Sequence, residues 1–192
     1  MQDRDVDQVD CDALEAEITR LRSDIAQLED RVRHLDQLAH RDALIDLPNR
    51  RGFMRHLDDL IARVERYDDS AAMLYVDVDG LKLINDSFGH KAGDEALIYV
   101  AELLVAGVRK SDYVARLGGD EFGILLERAD DDSAQETASR LGAQVADCEF
   151  CYDGTCLPLS VAIGVSMIGK GDTREAVMER ADHAMYREKA AA

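Results

Sequence analysis

The sequence has no apolar run long enough to cross a bilayer, and no signal peptide opens it. The expected location is therefore the cytoplasm. Positive charge is in short supply: 23 Lys and Arg stand against 40 Asp and Glu, for a net charge of −17. That balance excludes general binding to nucleic acid or to an anionic membrane. A small polyanionic ligand is still admissible where metal ions and a few local cations compensate. Cysteine is scarce, with four in 192 residues. The run Cys148-Glu-Phe-Cys151 has metal or redox spacing, but it contains no His and leaves a zinc site short of its fourth ligand. Asp153-Gly154 reads as a two-residue hairpin turn that sets Cys151 opposite Cys156. Reduced, buried or half-buried thiols are expected there, because the cytosol keeps such pairs reduced. Internal repeats, low-complexity tracts and long linkers are absent. The chain suits one domain of about 150 residues plus an accessory segment.

The accessory segment comes first. After a polar, acidic start expected to fray over residues 1–10, a heptad begins. Cys11, Ile18, Ile25, Val32 and Ala39 fall at position a, and Leu14, Leu21, Leu28 and Leu35 at position d. β-Branched residues at a with Leu at d favour a parallel two-stranded coiled coil over residues 1–40. Its g-to-e′ pairs are mixed: Glu17 with Arg22 and Arg31 with Asp36 attract, while Asp10 with Glu15 and Asp24 with Glu29 repel. One long helix folded back on its own domain is the alternative. The narrow apolar stripe argues against it, since a helix packed on a core shows a wider face.

The globular part occupies residues 41–192. A helix is predicted over about 51–67, then a short apolar strand over 71–78 that ends in Asp77-Val78-Asp79-Gly80. A helical turn over 81–86 follows, then a helix to about Arg109. Tyr113–Leu117 and Phe122–Leu126 flank two glycines and two carboxylates, which reads as a β-hairpin with an acidic tip. A polar helix over 132–146, the cysteine hairpin, a strand over 159–165 and a last helix over 173–189 complete the order. That order suggests a mixed sheet with helices packed on it.

Several residues can carry chemistry. Gly118 and Gly119 let a ligand approach the backbone closely. Asp120 and Glu121 point to opposite faces on extended backbone and should have different jobs. Asp77 and Asp120 end two apolar strands, so their carboxylates meet if those strands are neighbours. Two carboxylates plus substrate phosphates suit Mg²⁺ and phosphoryl transfer. Lys82 can offset phosphate charge, and Asn85 with Asp94 offers an amide and a carboxylate for a purine edge. Each has a plain alternative: an acidic turn, a solvated lysine, a turn former, a helix cap.

Six stretches together resemble the GGDEF family of diguanylate cyclases over roughly residues 40–189. They are Asp42-Ala-Leu-Ile-Asp-Leu-Pro-Asn-Arg50, Asp77-Val-Asp-Gly-Leu-Lys-Leu-Ile-Asn-Asp86, Gly89-His-Lys-Ala-Gly-Asp94, Arg116-Leu-Gly-Gly-Asp-Glu-Phe122, Leu159-Ser-Val-Ala-Ile-Gly164 and Ala181-Asp-His-Ala-Met-Tyr-Arg-Glu-Lys189. The resemblance implies an α+β, palm-like nucleotidyl-cyclase fold with a central, mostly antiparallel sheet flanked by helices. It implies that two GTP condense to cyclic di-GMP, releasing two pyrophosphates. By position, Asp77, the Val78 carbonyl and Asp120 would bind Mg²⁺ (Mn²⁺ being the alternative). Glu121 would be a general base or a further metal ligand, and Lys82 and Lys189 would contact phosphates. Asn85 and Asp94 would read guanine, with Asp94 favouring GTP over ATP, and Gly118 and Gly119 would line the substrate. Arg109-Lys-Ser-Asp112 has the family's offset for a product-inhibition site, with Arg140 as a further arginine; a helix-end ion pair is the ordinary reading of that tetrad.

Departures from the family pattern are Ile45 and Asp46 in place of Thr and Gly, Leu81 in place of Phe, and a chain that stops at Ala192 before the usual Gly-Arg-Asn. The last is expected to reduce substrate affinity by removing a triphosphate-binding arginine. Each domain would hold one GTP, so the resemblance implies an active, product-inhibited homodimer joined through the coil, with no sensor domain ahead of it. Its rival is a catalytically degenerate GGDEF protein that binds cyclic di-GMP or GTP as a receptor or scaffold.

Overall fold

The computed structural model describes residues 3–67 and 69–191, with side chains for 16–32, 39–67 and 69–190. The chain divides into two compact units, Met1–Ala39 and His40–Ala192. The first is carried by helix α1 (Asp3–His40). The backbone is helical from Asp3 onward, so residues 3–10, within the start expected to fray, form the first turns of that helix. Ile18, Leu21, Ile25, Leu28 and Val32 are 46% to 64% exposed along it. The side chains of Cys11, Leu14 and Leu35 lie outside the described residues.

In the second unit, helix α2 (Arg50–Tyr67) opens on Asn49, whose Oδ1 accepts from the amides of Arg51 and Gly52 at 2.9 and 3.1 Å. That side chain supplies the cap the helix start needs. Phe53, Leu57, Leu60 and Val64 recur at helical spacing and are buried. Strand β1 (Ala71–Val78) follows, then α3 (Leu81–Phe88), α4 (His90–Ala106), β2 (Tyr113–Gly118) and β3 (Glu121–Glu127). Helix α5 (Asp131–Ala146), the short strands β4 (Phe150–Tyr152) and β5 (Thr155–Leu157), β6 (Val161–Ile168) and α6 (Arg174–Ala191) complete it. Helix α4 stops at Ala106, short of Arg109: Gly107 ends it, and Arg109 and Asp112 then close a turn of their own.

The main sheet has the order β2-β3-β1-β6, and every pairing is antiparallel. A mixed sheet is therefore not what forms. The helices interrupt the strands without producing a parallel crossover between neighbours. Alternation along β1 sorts the core into two layers. Ala72, Leu74, Val76 and Val78 pack with residues of α3, α4 and α5, while Ala71, Met73 and Tyr75 pack with α2 and α6. Gly164 of β6 lies directly under the backbone of α6 at Ala181 and Met185, where a Cβ would overlap main-chain atoms. That contact sets how closely α6 lies on the sheet.

Both outer strands are occupied. On β2 the Arg116 amide donates to the Pro48 carbonyl. On β6 the Ile163 amide donates to Glu188 and the Met167 carbonyl accepts from Arg180, both on α6. Exposed sheet edges are templates for unwanted pairing, and side chains laid along them prevent it.

The hairpin β4–β5 pairs Cys151 with Cys156 as its turn residues require. Asp153 and Gly154 have φ of 46° and 78°, the left-handed values of a two-residue hairpin turn. The thiols are not free, however: Cys151 and Cys156 form a disulfide, and both are exposed. Among the described side chains Cys148 is the free cysteine, half-buried. Reasoning from compartment predicted reduced thiols; the cross-strand geometry instead brings the two sulfurs together. Of the family departures, Ile45 and Leu81 are buried in the core, and Asp46 pairs with Arg41.

Candidate active site

The carboxylate end of the sheet is built by register. β1 and β3 are neighbours, with Asp77 opposite Glu121 and the Val78 amide donating to the Asp120 carbonyl at 3.0 Å. Directly opposed residues share a face, so it is the Glu121 side chain that faces Asp77's side of the sheet. Asp120 sits in the turn between β2 and β3, half-buried. The hairpin tip is held from outside by Arg116, whose Nε and Nη2 donate to the Gly119 carbonyl at 3.2 and 2.7 Å. Its Nη1 donates to Asp42 Oδ1 at 3.0 Å. Sequence reasoning gave Arg116 no role; its place just before the two glycines was the available signal.

Lys189, in the last turn of α6, bonds Asp77 through its ammonium and lies 3.5 Å from Asp79 Oδ1. The Asp77 hydrogen bond raises the lysine's pKa, and burial opposes it. Asp79 is also fixed from the other side. Its amide donates to the Ser160 carbonyl at 3.0 Å, and the Ser160 hydroxyl donates to its Oδ2 at 2.9 Å. Two carboxylates therefore converge on one cation at the end of β1, a hard-oxygen donor set that suits a divalent ion. Among the described residues no three His, Cys, Asp or Glu side chains form a closed metal cage. Mg²⁺ does not need one, since it keeps waters and substrate phosphates in its shell.

Tyr75 lies two residues before Asp77 on the same face and is 5% exposed. Its hydroxyl is pushed up to about 12, by burial first and then by the adjacent Glu121 carboxylate. The tyrosine stays protonated beside Glu121.

Asn85 of α3 packs on α4 at Gly93, the neighbour of Asp94. A Cβ on Gly93 would overlap the Asn85 carboxamide, so the Asn85 side chain lies against α4 at the residue preceding Asp94. Lys82 is exposed in the first turn of α3. Its ammonium is not drawn into the Asp77–Asp79–Lys189 group.

A second set of residues gathers at the other end of β3. Arg109, Asp112 and Arg140 line one cleft of about 290 Å³ with Glu127, Ser133 and Thr137. Asp112 accepts from the amides of Arg109 at 2.9 Å and Glu127 at 3.3 Å, so backbone donors hold this carboxylate. Arg140 is anchored by donating to the Gly107 carbonyl at 2.7 Å. The tetrad is thus a turn with its aspartate tied down, not a helix-end ion pair.

Residues 39–192, which build this antiparallel sheet and its glycine-tipped acidic hairpin, match the family model for the diguanylate cyclase, GGDEF domain. The chain belongs to the GGDEF family. Among curated GGDEF relatives, the diguanylate cyclase DgcP of Pseudomonas aeruginosa is 34% identical over 93% of this chain, and the response regulator PleD of Caulobacter vibrioides is 37% identical over 85%. The chain spans 27% of the first relative's length and 37% of the second's. Among solved structures, the coiled coil and GGDEF domain of DgcB from Caulobacter crescentus, in complex with c-di-GMP, superimposes with a TM-score of 0.85 at 26% identity. That match covers 93% of this chain and 95% of the other. No helix among the described residues is long and apolar enough to cross a membrane.

Proposed function

We propose that this chain is an active diguanylate cyclase that condenses two GTP into cyclic di-GMP with release of pyrophosphate. The observation that carries the reading is the convergence of Asp77, Asp79 and Lys189 at the end of β1, beside the intact Gly118-Gly119-Asp120-Glu121-Phe122 hairpin. A degenerate receptor has no need to keep that set. Asp77, Asp120 and the Val78 carbonyl would hold Mg²⁺ or Mn²⁺, which supplies charge neutralisation and polarises a phosphoryl oxygen when bound. Lys189 and Lys82 offset triphosphate charge. Asn85 and Asp94 present an amide and a carboxylate to the guanine edge, and the bare Gly118-Gly119 backbone lets the nucleotide lie close. Glu121, with Tyr75 beside it, would accept a proton from the attacking 3′-hydroxyl or serve as a further metal ligand.

One domain presents one such site, and the reaction joins two nucleotides, so the proposal includes a homodimer. The exposed stripe Ile18, Leu21, Ile25, Leu28 and Val32 supports a parallel coil, which raises the effective concentration of the two domains for each other. The Arg109–Asp112–Arg140 cleft is proposed to bind the product and restrain the enzyme. Arginine's planar fork suits both phosphate and guanine edges.

The test is incubation with GTP and Mg²⁺, with chromatography of the products and light scattering at the same concentration. Cyclic di-GMP from a dimer is the expected result. GTP or cyclic di-GMP binding without turnover would instead establish the receptor reading.

A further inference from the structure

The β4–β5 hairpin has two strands of three residues each, a size that is marginal on its own in water. Its turn sets the hydrogen-bonding pattern. Tyr152 and Thr155 flank the two-residue turn as the hydrogen-bonded pair, which makes Cys151 and Cys156 the next, non-hydrogen-bonded pair. Side chains approach most closely at such pairs, and the two Cα atoms here are 3.9 Å apart. The disulfide is exposed on the outer face, open to a reductant. Cys148, three residues upstream, is half-buried, and burial pushes its thiol up, which makes it a poor competitor for exchange.

The hairpin is tied to the carboxylate end of the sheet. Phe150 is buried against Tyr99 of α4, with ring centroids 5.6 Å apart. After Cys156 the chain runs through Leu157, Pro158 and the buried Leu159 to Ser160, which makes the two hydrogen bonds to Asp79 described above. Three residues therefore separate the cross-linked Cys156 from Ser160, the residue that holds Asp79 beside Lys189.

We infer that Cys151–Cys156 is a reversible thiol–disulfide exchange site for small dithiols, and that its closure steadies the Leu157–Ser160 segment and its grip on Asp79. In the reduction, a thiolate of the dithiol attacks one cysteine sulfur, breaks the protein S–S bond and forms a mixed disulfide. The second thiol of the reagent then resolves it. The protein gains two electrons and two protons as two thiols, and the dithiol becomes a cyclic disulfide. Oxidised glutathione reverses the change by the same exchange.

The test uses the whole chain treated with oxidised glutathione or with dithiothreitol. It is read by alkylation and mass of the tryptic peptide Leu141–Lys170, and by hydrogen exchange. In the oxidised sample one cysteine of that peptide, Cys148, takes the alkylating reagent; after reduction all three do. The Asp79 amide and the 157–160 segment exchange on the order of tenfold faster once reduced. The double variant Cys151→Ser, Cys156→Ser exchanges at the reduced rate under both treatments, and Cys148→Ser responds as the wild type does. Three alkylated cysteines in the oxidised sample would overturn the site. An intact disulfide whose reduction leaves Asp79 exchange unchanged would overturn the coupling. Neither readout depends on cyclase activity, so a failure here is distinguishable from a failure of the proposed function.

Discussion

Strand β3 runs from Glu121, opposite Asp77, to Glu127, whose amide bonds Asp112, and its seven residues set the two ends roughly 20 Å apart. The ends are built by different rules. At the first, register sets Asp77 of β1 opposite Glu121 of β3, and a lysine from a distant helix answers the charge of Asp77 and Asp79. At the second, the carboxylate of Asp112 is answered by backbone amides, and arginines line the cleft beside it. The first end sets carboxylates against a lysine; the second sets two arginines around a carboxylate already held by backbone amides. A ligand at one end has no residue of the other within reach, so each can be damaged separately.

The strongest way to break this comparison is to remove one charge at the acidic end. Asp120→Asn is expected to lower cyclic di-GMP formation by about a thousandfold, the scale of losing a principal electrostatic contact in the transition state. Calorimetric binding of cyclic di-GMP at the other end should be unchanged; lost binding would mean that the ends are not separable. Next in size is Gly93→Ala, which pushes a methyl into the Asn85 carboxamide. It should raise KM for GTP by roughly 10- to 100-fold and erode preference over ATP while kcat changes little, as loss of uniform binding requires. Arg109→Ala is expected to weaken product binding by about tenfold or more, seen as progress curves that no longer slow as cyclic di-GMP accumulates. Inhibition that persists would remove the second end from the scheme.

The smallest effect concerns how the acidic tip is held. Burial alone would raise the Asp42 carboxyl, but the Ile45 and Leu44 amides and the Arg116 guanidinium outweigh it and hold the group below its ordinary 3.8. A folded value below the unfolded one contributes stability that is full above about pH 4 and is lost as pH falls through the folded value. Asp42→Asn should therefore cost roughly 1–2 kcal/mol in urea melts at pH 7, and the cost should shrink as pH falls below the ordinary carboxylate range. A cost independent of pH would show that shape, not charge, is what Asp42 contributes.

Much of this was legible in the residues. The bounds of β1 follow from a short, mostly apolar run over Ala71–Val78, and the hairpin follows from apolar runs around two glycines. What the residues hid is non-local. Whether Asp77 meets Asp120 or Glu121 depends on a register that only the folded sheet sets. Lys189 reaches Asp77 across 112 positions of sequence, through a helix whose height over the sheet is fixed by Gly164. The antiparallel character of every pair could not be read from the order of elements, since helices between strands are compatible with either direction. The disulfide was missed because compartment was weighed above geometry, although the turn that pairs Cys151 with Cys156 was itself plain.

The stoppered sheet edges have a consequence for how two copies can meet. With Pro48 lying along β2, and Glu188 and Arg180 reaching over β6, neither outer strand offers a continuous row of open amides and carbonyls. A neighbour extending the sheet would meet these engaged groups, so main-chain zippering, the contact hardest to undo, is disfavoured for this domain. Contacts through side chains or through a shared ligand are left open to it, and contacts of that kind can be released.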